Sequence, residues 1–175
     1  YYDATRILSK RLSEWSKNLN QVNQKYVICS GGGPGIMQAA NRGASEAETK
    51  SIALGISLPF ENSPNPYVVP DLNFEFHYFF TRKFWFSYLA EAFVIMPGGF
   101  GTLDEFFEIL TLIQTEKIKK DQPIVLFGKE YWSKLINFET LVDYGVIERK
   151  DLDLFFITSS VDEAYEHIIS NLNLK

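Results

Sequence analysis

Twice in this chain a short apolar run ends in a cluster of glycines that leads straight into a segment with helical spacing. "VICS" is followed by Gly31-Gly32-Gly33-Pro34-Gly35, and "FVIM" by Pro97-Gly98-Gly99-Phe100-Gly101-Thr102. A repeated strand–turn–helix of this form leaves few folds open. Strands that alternate with helices build parallel βαβ units. The class predicted is α/β: a Rossmann-like doubly wound parallel sheet with helices on both faces, in three layers. In open sheets of this kind ligands sit beyond the carboxyl ends of the strands, where both glycine loops fall. Glycine reaches φ > 0 and lets a ligand come close to bare backbone. The first N–H groups of a helix have no intrahelical partner and carry partial positive charge. A phosphate placed there is held without a cationic side chain. Two such loops point to a ligand that spans both, as a nucleotide does. Neither loop is a standard fingerprint, since Gly-x-Gly-x-x-Gly and the Lys-Ser/Thr ending of a P-loop are absent from both. A pair of tight turns is the competing reading.

The rest of the chain fits the alternation. Residues 4–22 read as a helix, with Ile7, Leu8, Leu12, Trp15, Leu19 and Val22 at helical spacing. Strands are predicted at 26–30, 51–57, 72–78, 93–96, 123–127 and 154–158. Helices are predicted from Ile36, with Pro34 in the first turn and Ile36, Ala39, Ala40 and Ala44 on one face, and at 81–92, 103–118, 131–145 and 161–172. Gly145 closes the helix at 131–145 as a C-terminal cap. A loop rich in proline and asparagine, with Pro59, Pro64, Pro66 and Pro70, spans 59–71. No internal repeat or low-complexity segment interrupts the pattern, and residues 1–175 read as one domain. A sheet of this type normally begins with a strand that supplies a ligand loop. Here the first element is a helix, so the first strand is expected before residue 1.

At 175 residues, 46% of them apolar, the chain has enough to bury a substantial core. No apolar run approaches a membrane span, no signal peptide is recognisable, and a cytoplasmic location is the default expectation. Cys29 lies in an apolar stretch and reads as a small core residue. His77 and His167 are far apart and make no metal pattern, so no metal is expected. The net charge of −5 argues against a nucleic-acid partner. It leaves room for a small phosphate ligand.

Thr102 and Glu105 admit two readings. Thr-x-x-Glu is a capping box, in which the threonine caps the helix and the glutamate bonds back. Alternatively Glu105 faces a ligand from the first turn, beside a phosphate held by the loop. Asp104 and Glu108 read as solvent or supporting groups. Arg82 and Lys83 stand at the start of the predicted helix 81–92, where cations oppose the helix dipole. Such local conflicts mark functional sites, although an arginine whose stem lies along a packed helix is the competing account. The rings around them (Phe79, Phe80, Phe84, Trp85, Phe86, Tyr88) exceed what one helix needs for its own packing.

The segments "SGGGPGIMQAANRGA", "TRK" and "PGGFGTLDE" together resemble the LONELY GUY family, long labelled "possible lysine decarboxylase". The family motif Pro-Gly-Gly-x-Gly-Thr-x-x-Glu is matched at every fixed position from Pro97 to Glu105. The resemblance covers roughly residues 1 to 170 and is closer to the bacterial branch. It implies a phosphoribohydrolase that cleaves the N-glycosidic bond of a nucleoside 5′-monophosphate, a cytokinin riboside monophosphate or AMP, to free base and ribose 5-phosphate. It implies Arg82 and Glu105 as the catalytic pair. Lys83, Gly98, Gly99, Gly101 and Thr102 would line the nucleotide site, with Gly32, Gly33 and Met37 near it. It further implies a homodimer or a larger assembly of dimers. No cofactor is implied. The family's first strand ends in a Gly-Ser loop that also contacts the nucleotide, and that segment is the one expected before residue 1. A non-catalytic nucleotide sensor or carrier on the same fold is the alternative. Amino-acid decarboxylation needs an electron sink such as pyridoxal phosphate on a lysine, and nothing in the sequence marks such a lysine.

Overall fold

The computed structural model describes residues 1–19, 25–57, 65–118 and 122–172. Val22, Pro59 and Pro64 lie outside the described residues. The chain divides into two compact units, Tyr1–Leu89 and Ala90–Lys175.

In the first unit the elements run α1 (Tyr2–Leu19), β1 (Ile28–Ser30), α2 (Ile36–Glu46), β2 (Ser51–Ile56), a short 3-10 turn (Pro70–Leu72), β3 (Asn73–Phe76) and α3 (Phe79–Leu89). The strands form a parallel sheet in the order β1-β2-β3. Ile28 pairs with Ser51, and Ala53 with Asn73. The helix predicted at 4–22 is present, but its buried face differs from the predicted stripe. Thr5, Leu8, Ser9, Ser13 and Ser16 are buried, whereas Ile7 and Leu19 are exposed. Gly43 of α2 explains the change. A Cβ there would lie 2.2 Å from the Arg6 carbonyl oxygen and 2.8 Å from the Lys10 nitrogen. The two helices meet backbone to backbone, and only small side chains fit between them. Ser9 Oγ donates to the Ala40 carbonyl at 2.5 Å, and Ser16 Oγ both donates to the Tyr26 carbonyl and accepts its N–H. A salt bridge of 2.7 Å from Arg6 to Glu46 closes the outer edge of the seam.

Cys29 is exposed and does not join the core as expected. Successive residues of a strand point to opposite faces. Ser30 is buried and turns toward Asn41 of α2, so Cys29 points the other way.

The second unit runs β4 (Phe93–Ile95), α4 (Phe100–Gln114), β5 (Ile124–Phe127), α5 (Lys129–Leu135), α6 (Phe138–Asp143), a 3-10 turn (Arg149–Leu154), β6 (Phe156–Thr158) and α7 (Val161–Asn171). Its sheet is also parallel, in the order β4-β5-β6. All four residues of β5 are buried, as expected of a central strand made of "IVLF". The core gathers Phe93, Ile95, Phe106, Ile109, Ile124, Leu126 and Trp132. Phe106 is the hub, with ring centroids at 5.7 Å from Trp132 and 5.9 Å from Phe155. Burying a ring of that size contributes about 2–3 kcal/mol.

The helix predicted over 131–145 is two helices. Ile136 leaves α5 in an extended conformation, and Asn137 starts α6. The break turns the ring of Phe138 onto Phe155 (4.7 Å) and Phe106 (6.2 Å). Gly145 closes α6 as predicted. It adopts φ 68°; its N–H bonds to Val142, and the Val146 N–H bonds to Leu141. This is the paired closure of a helix end that favours glycine.

Candidate functional site

The second glycine loop leaves β4 and becomes the first turn of α4. Gly99 is the N-cap, with φ −88° and ψ −155°, and no side chain caps the helix. The Leu103 N–H donates to the Gly99 carbonyl at 3.1 Å, which makes it the first intrahelical bond. The N–H groups of Gly99, Phe100, Gly101 and Thr102 precede that bond and have no acceptor within the helix. The predicted capping box does not form. The helix starts at Phe100, ahead of Thr102, so Thr102 stands in the third helical position and cannot be the cap.

Thr102 instead packs on Gly98. A Cβ at position 98 would lie 2.2 Å from Thr102 Oγ1 and 2.8 Å from Thr102 Cβ. Gly98 is therefore glycine because a neighbouring side chain lies on it. Gly99 and Gly101 have no such reason. Neither has a positive φ, and a Cβ built on either meets nothing within 4 Å. At Gly101, inside the first turn, glycine costs about 1 kcal/mol relative to alanine. Two glycines that the fold does not require, beside unpartnered helix N–H groups, leave a bare and open strip of backbone. Phe100 between them is 91% exposed. Glu105 is half-buried, three residues beyond Thr102 and so on the same side of α4. Glu108, one turn further, is half-buried, and Asp104 is exposed.

One residue that the sequence reading missed holds this loop from behind. Tyr131 of α5 donates its hydroxyl hydrogen to the Gly98 carbonyl at 2.5 Å. Thirty-three residues separate the two, so no local pattern signals the contact.

The first glycine loop is built differently. Gly31 lies under Met37, whose Sδ would be 2.6 Å from a Cβ at 31. Gly32 has φ +74°, and a Cβ there would lie 2.7 Å from Ala53 Cβ. Gly35 has φ +69° and is the N-cap of α2. Pro34 therefore falls just outside the helix, not in its first turn. Gly33 is half-buried and Met37, in the first turn, is 36% exposed. The sequence reading also missed Asn41, which is 0% exposed. Its Oδ1 accepts from Ser30 Oγ (2.6 Å) and Asn65 Nδ2 (3.0 Å), and its Nδ2 donates to Ser51 Oγ (3.0 Å) and the Ile52 carbonyl (3.3 Å). Ser30 Oγ in turn accepts the Gly32 N–H at 3.0 Å. An asparagine inside the alanine-rich run "MQAANRGA" was the available signal.

Arg82 and Lys83 are half-buried on α3. That helix begins at Phe79, two residues before the predicted start, so both cations sit about one turn in. The conflict with the dipole is correspondingly weaker, since it fades within the first turn. Arg82 lies among aromatic rings. Its guanidinium lies 5.3 Å from the Phe79 ring and 5.8 Å from the Phe86 ring, three and four residues away on the same side. The remaining rings are exposed: Tyr78, Phe80, Phe84, Trp85 and Tyr88. Phe84 stacks on Tyr88 at 5.1 Å. No helix among the described residues is long and apolar enough to cross a membrane.

The family model described as "Possible lysine decarboxylase" matches residues 37–168. The chain belongs to this family. Its LONELY GUY character is carried by curated relatives. A cytokinin riboside 5′-monophosphate phosphoribohydrolase of Rhodococcoides fascians is 34% identical over 73 residues, 41% of this chain and 34% of the relative. A pyrimidine/purine nucleotide 5′-monophosphate nucleosidase of Escherichia coli K12 is 31% identical over 116 residues, 58% of this chain and 24% of the relative. The matches thus span about a quarter to a third of the length of those relatives. Among solved structures, the molybdenum cofactor binding protein of Rippkaea orientalis superposes with a TM-score of 0.61 at 20% identity, over 98% of this chain and 86% of that one. The α/β class with parallel strands is the one predicted.

Proposed function

We propose that the chain hydrolyses the N-glycosidic bond of a nucleoside 5′-monophosphate, with a cytokinin riboside monophosphate or AMP as substrate. The products are the free base and ribose 5-phosphate. The observation that carries the reading is the open backbone of Gly99 and Gly101 at the start of α4, inside a motif complete from Pro97 to Glu105. The names of the relatives in both organisms agree with it.

In this reading the amides from Gly98 to Thr102 hold the 5′-phosphate, and Lys83, Gly32, Gly33 and Met37 belong to the nucleotide's surroundings. Anchoring the phosphate positions C1′ for attack. Water oxygen bonds to C1′ while the C1′–N bond breaks, its electron pair leaves with the base, and the base takes up a proton. The sugar passes through an oxocarbenium-like state. The Glu105 carboxylate stabilises that positive charge or orients the water. Arg82, held between Phe79 and Phe86, neutralises the phosphate or assists departure of the base.

The test is incubation with a panel of nucleoside monophosphates and chromatography for free base. Glu105→Gln is expected to lower kcat by at least about a hundredfold with the thermal midpoint unchanged. Full turnover in the folded variant removes Glu105 from the chemistry. Tight nucleotide binding with no base released over hours makes the protein a carrier or sensor instead. The same reading includes a homodimer joined through the exposed rings of α3. Sedimentation velocity that finds only monomer at micromolar concentration overturns that part.

A further inference from the structure

We infer that Tyr131 is the positioning residue of the phosphate loop: its hydroxyl, by gripping the Gly98 carbonyl, aims the Gly99 N–H at the ligand. The inference rests on the phosphate site proposed above and names the group that sets its geometry.

Gly98 is restrained at two atoms. Thr102 Oγ1 and Cβ lie over its α-carbon, at 2.2 and 2.8 Å from where a Cβ would stand. The Tyr131 hydroxyl donates to its carbonyl oxygen at 2.5 Å. The peptide joining Gly98 to Gly99 is planar and trans, so its C=O and N–H point in opposite directions. Fixing the oxygen toward α5 fixes the Gly99 hydrogen away from α5. A Cβ built on Gly99 meets nothing within 4 Å, so there is room at that residue for a ligand oxygen. The next peptide is fixed in the same way. The Gly99 carbonyl accepts from Leu103 N–H at 3.1 Å, which turns the Phe100 N–H outward from the helix start. Two successive amides thus leave the loop on the side away from their restrained oxygens. The bond from Tyr131 also polarises its peptide, which makes the Gly99 N–H a stronger donor.

Tyr131 is itself held. Its ring stands edge-on to Trp132 at 5.1 Å, with an interplanar angle of 87°. Trp132 is 0% exposed and donates Nε1–H to the Phe127 carbonyl at 3.0 Å. A continuous line of contacts thus runs from the buried end of β5 through Trp132 and Tyr131 to Gly98.

The experiment compares the full chain with Tyr131→Phe, which keeps the ring and removes the hydroxyl. Dissociation constants for ribose 5-phosphate and for adenosine are measured by calorimetry, and KM and kcat with AMP. The expected result is about tenfold weaker ribose 5-phosphate binding and a matching rise in KM. Adenosine affinity stays the same and kcat changes less than about twofold. Equal ribose 5-phosphate affinity in the two proteins overturns the inference while leaving the site intact. Equal weakening of adenosine also overturns it, because a general loosening of the fold would do that. A parent protein that binds no phosphate monoester overturns the site and the inference together. Should Tyr131→Phe fail to fold, 3-fluorotyrosine at position 131 supplies a stronger donor. It is expected to tighten ribose 5-phosphate binding, and unchanged or weaker binding overturns the inference.

Discussion

The two glycine loops look alike in sequence and are glycine-rich for different reasons. In the first, Gly31 and Gly32 are pressed against Met37 and Ala53, and Gly32 and Gly35 sit at positive φ. Those glycines serve the chain's own shape. In the second, only Gly98 is pressed by a neighbour, and Gly99 and Gly101 face open space at ordinary φ. Nothing in the fold requires them to lack a side chain, and in the proposed function that opening admits the phosphate. The difference separates a loop shaped by its own packing from one that packing leaves open.

The largest effect that could break this contrast is on stability. Gly32→Val puts a branched side chain at φ +74° against Ala53. Left-handed strain and overpacking together are expected to cost about 3 kcal/mol or more, read by urea unfolding. A loss under about 1 kcal/mol would show that the first loop yields, and the contrast would fail. The opposite behaviour is expected of the open glycines. Gly99→Val should raise KM for AMP at least about tenfold while unfolding changes by no more than about 1 kcal/mol. Gly101→Ala, the mildest variant, should stabilise α4 by about 0.5–1 kcal/mol and weaken AMP modestly. Unchanged nucleotide affinity in both would reduce the second loop to a turn.

Much of this was legible before any coordinates. The strand–glycine–helix units, the parallel class and the cap at Gly145 follow from local chemistry, because turn residues and apolar runs act within a few positions. What was not legible depends on distant partners. Apart from Leu8, the buried face of α1 is polar because Gly43, more than thirty residues later, lets α2 come close; periodicity alone favours the stripe through Ile7 and Leu19. Cys29 sits in an apolar run yet faces outward, because a strand has two faces and only one meets α2. The capping box at Thr102 failed because the helix begins at Phe100 with Gly99 as its N-cap, which leaves Thr102 inside the first turn. At the second loop, glycines and carboxylate were visible in sequence, but Tyr131 was not. Aromatic residues are common in this chain, and nothing local distinguishes the one that reaches Gly98.

Asn41 has a consequence for the first loop. All of its donors and acceptors are engaged with Ser30, Ser51, Ile52 and Asn65, in a place solvent does not reach. The curve of backbone at Gly32 hangs from that amide through one serine hydroxyl. Changes of salt or acidity that act on the exterior leave it untouched. The loop keeps its form for as long as its half of the molecule stays folded, and gives it up all at once.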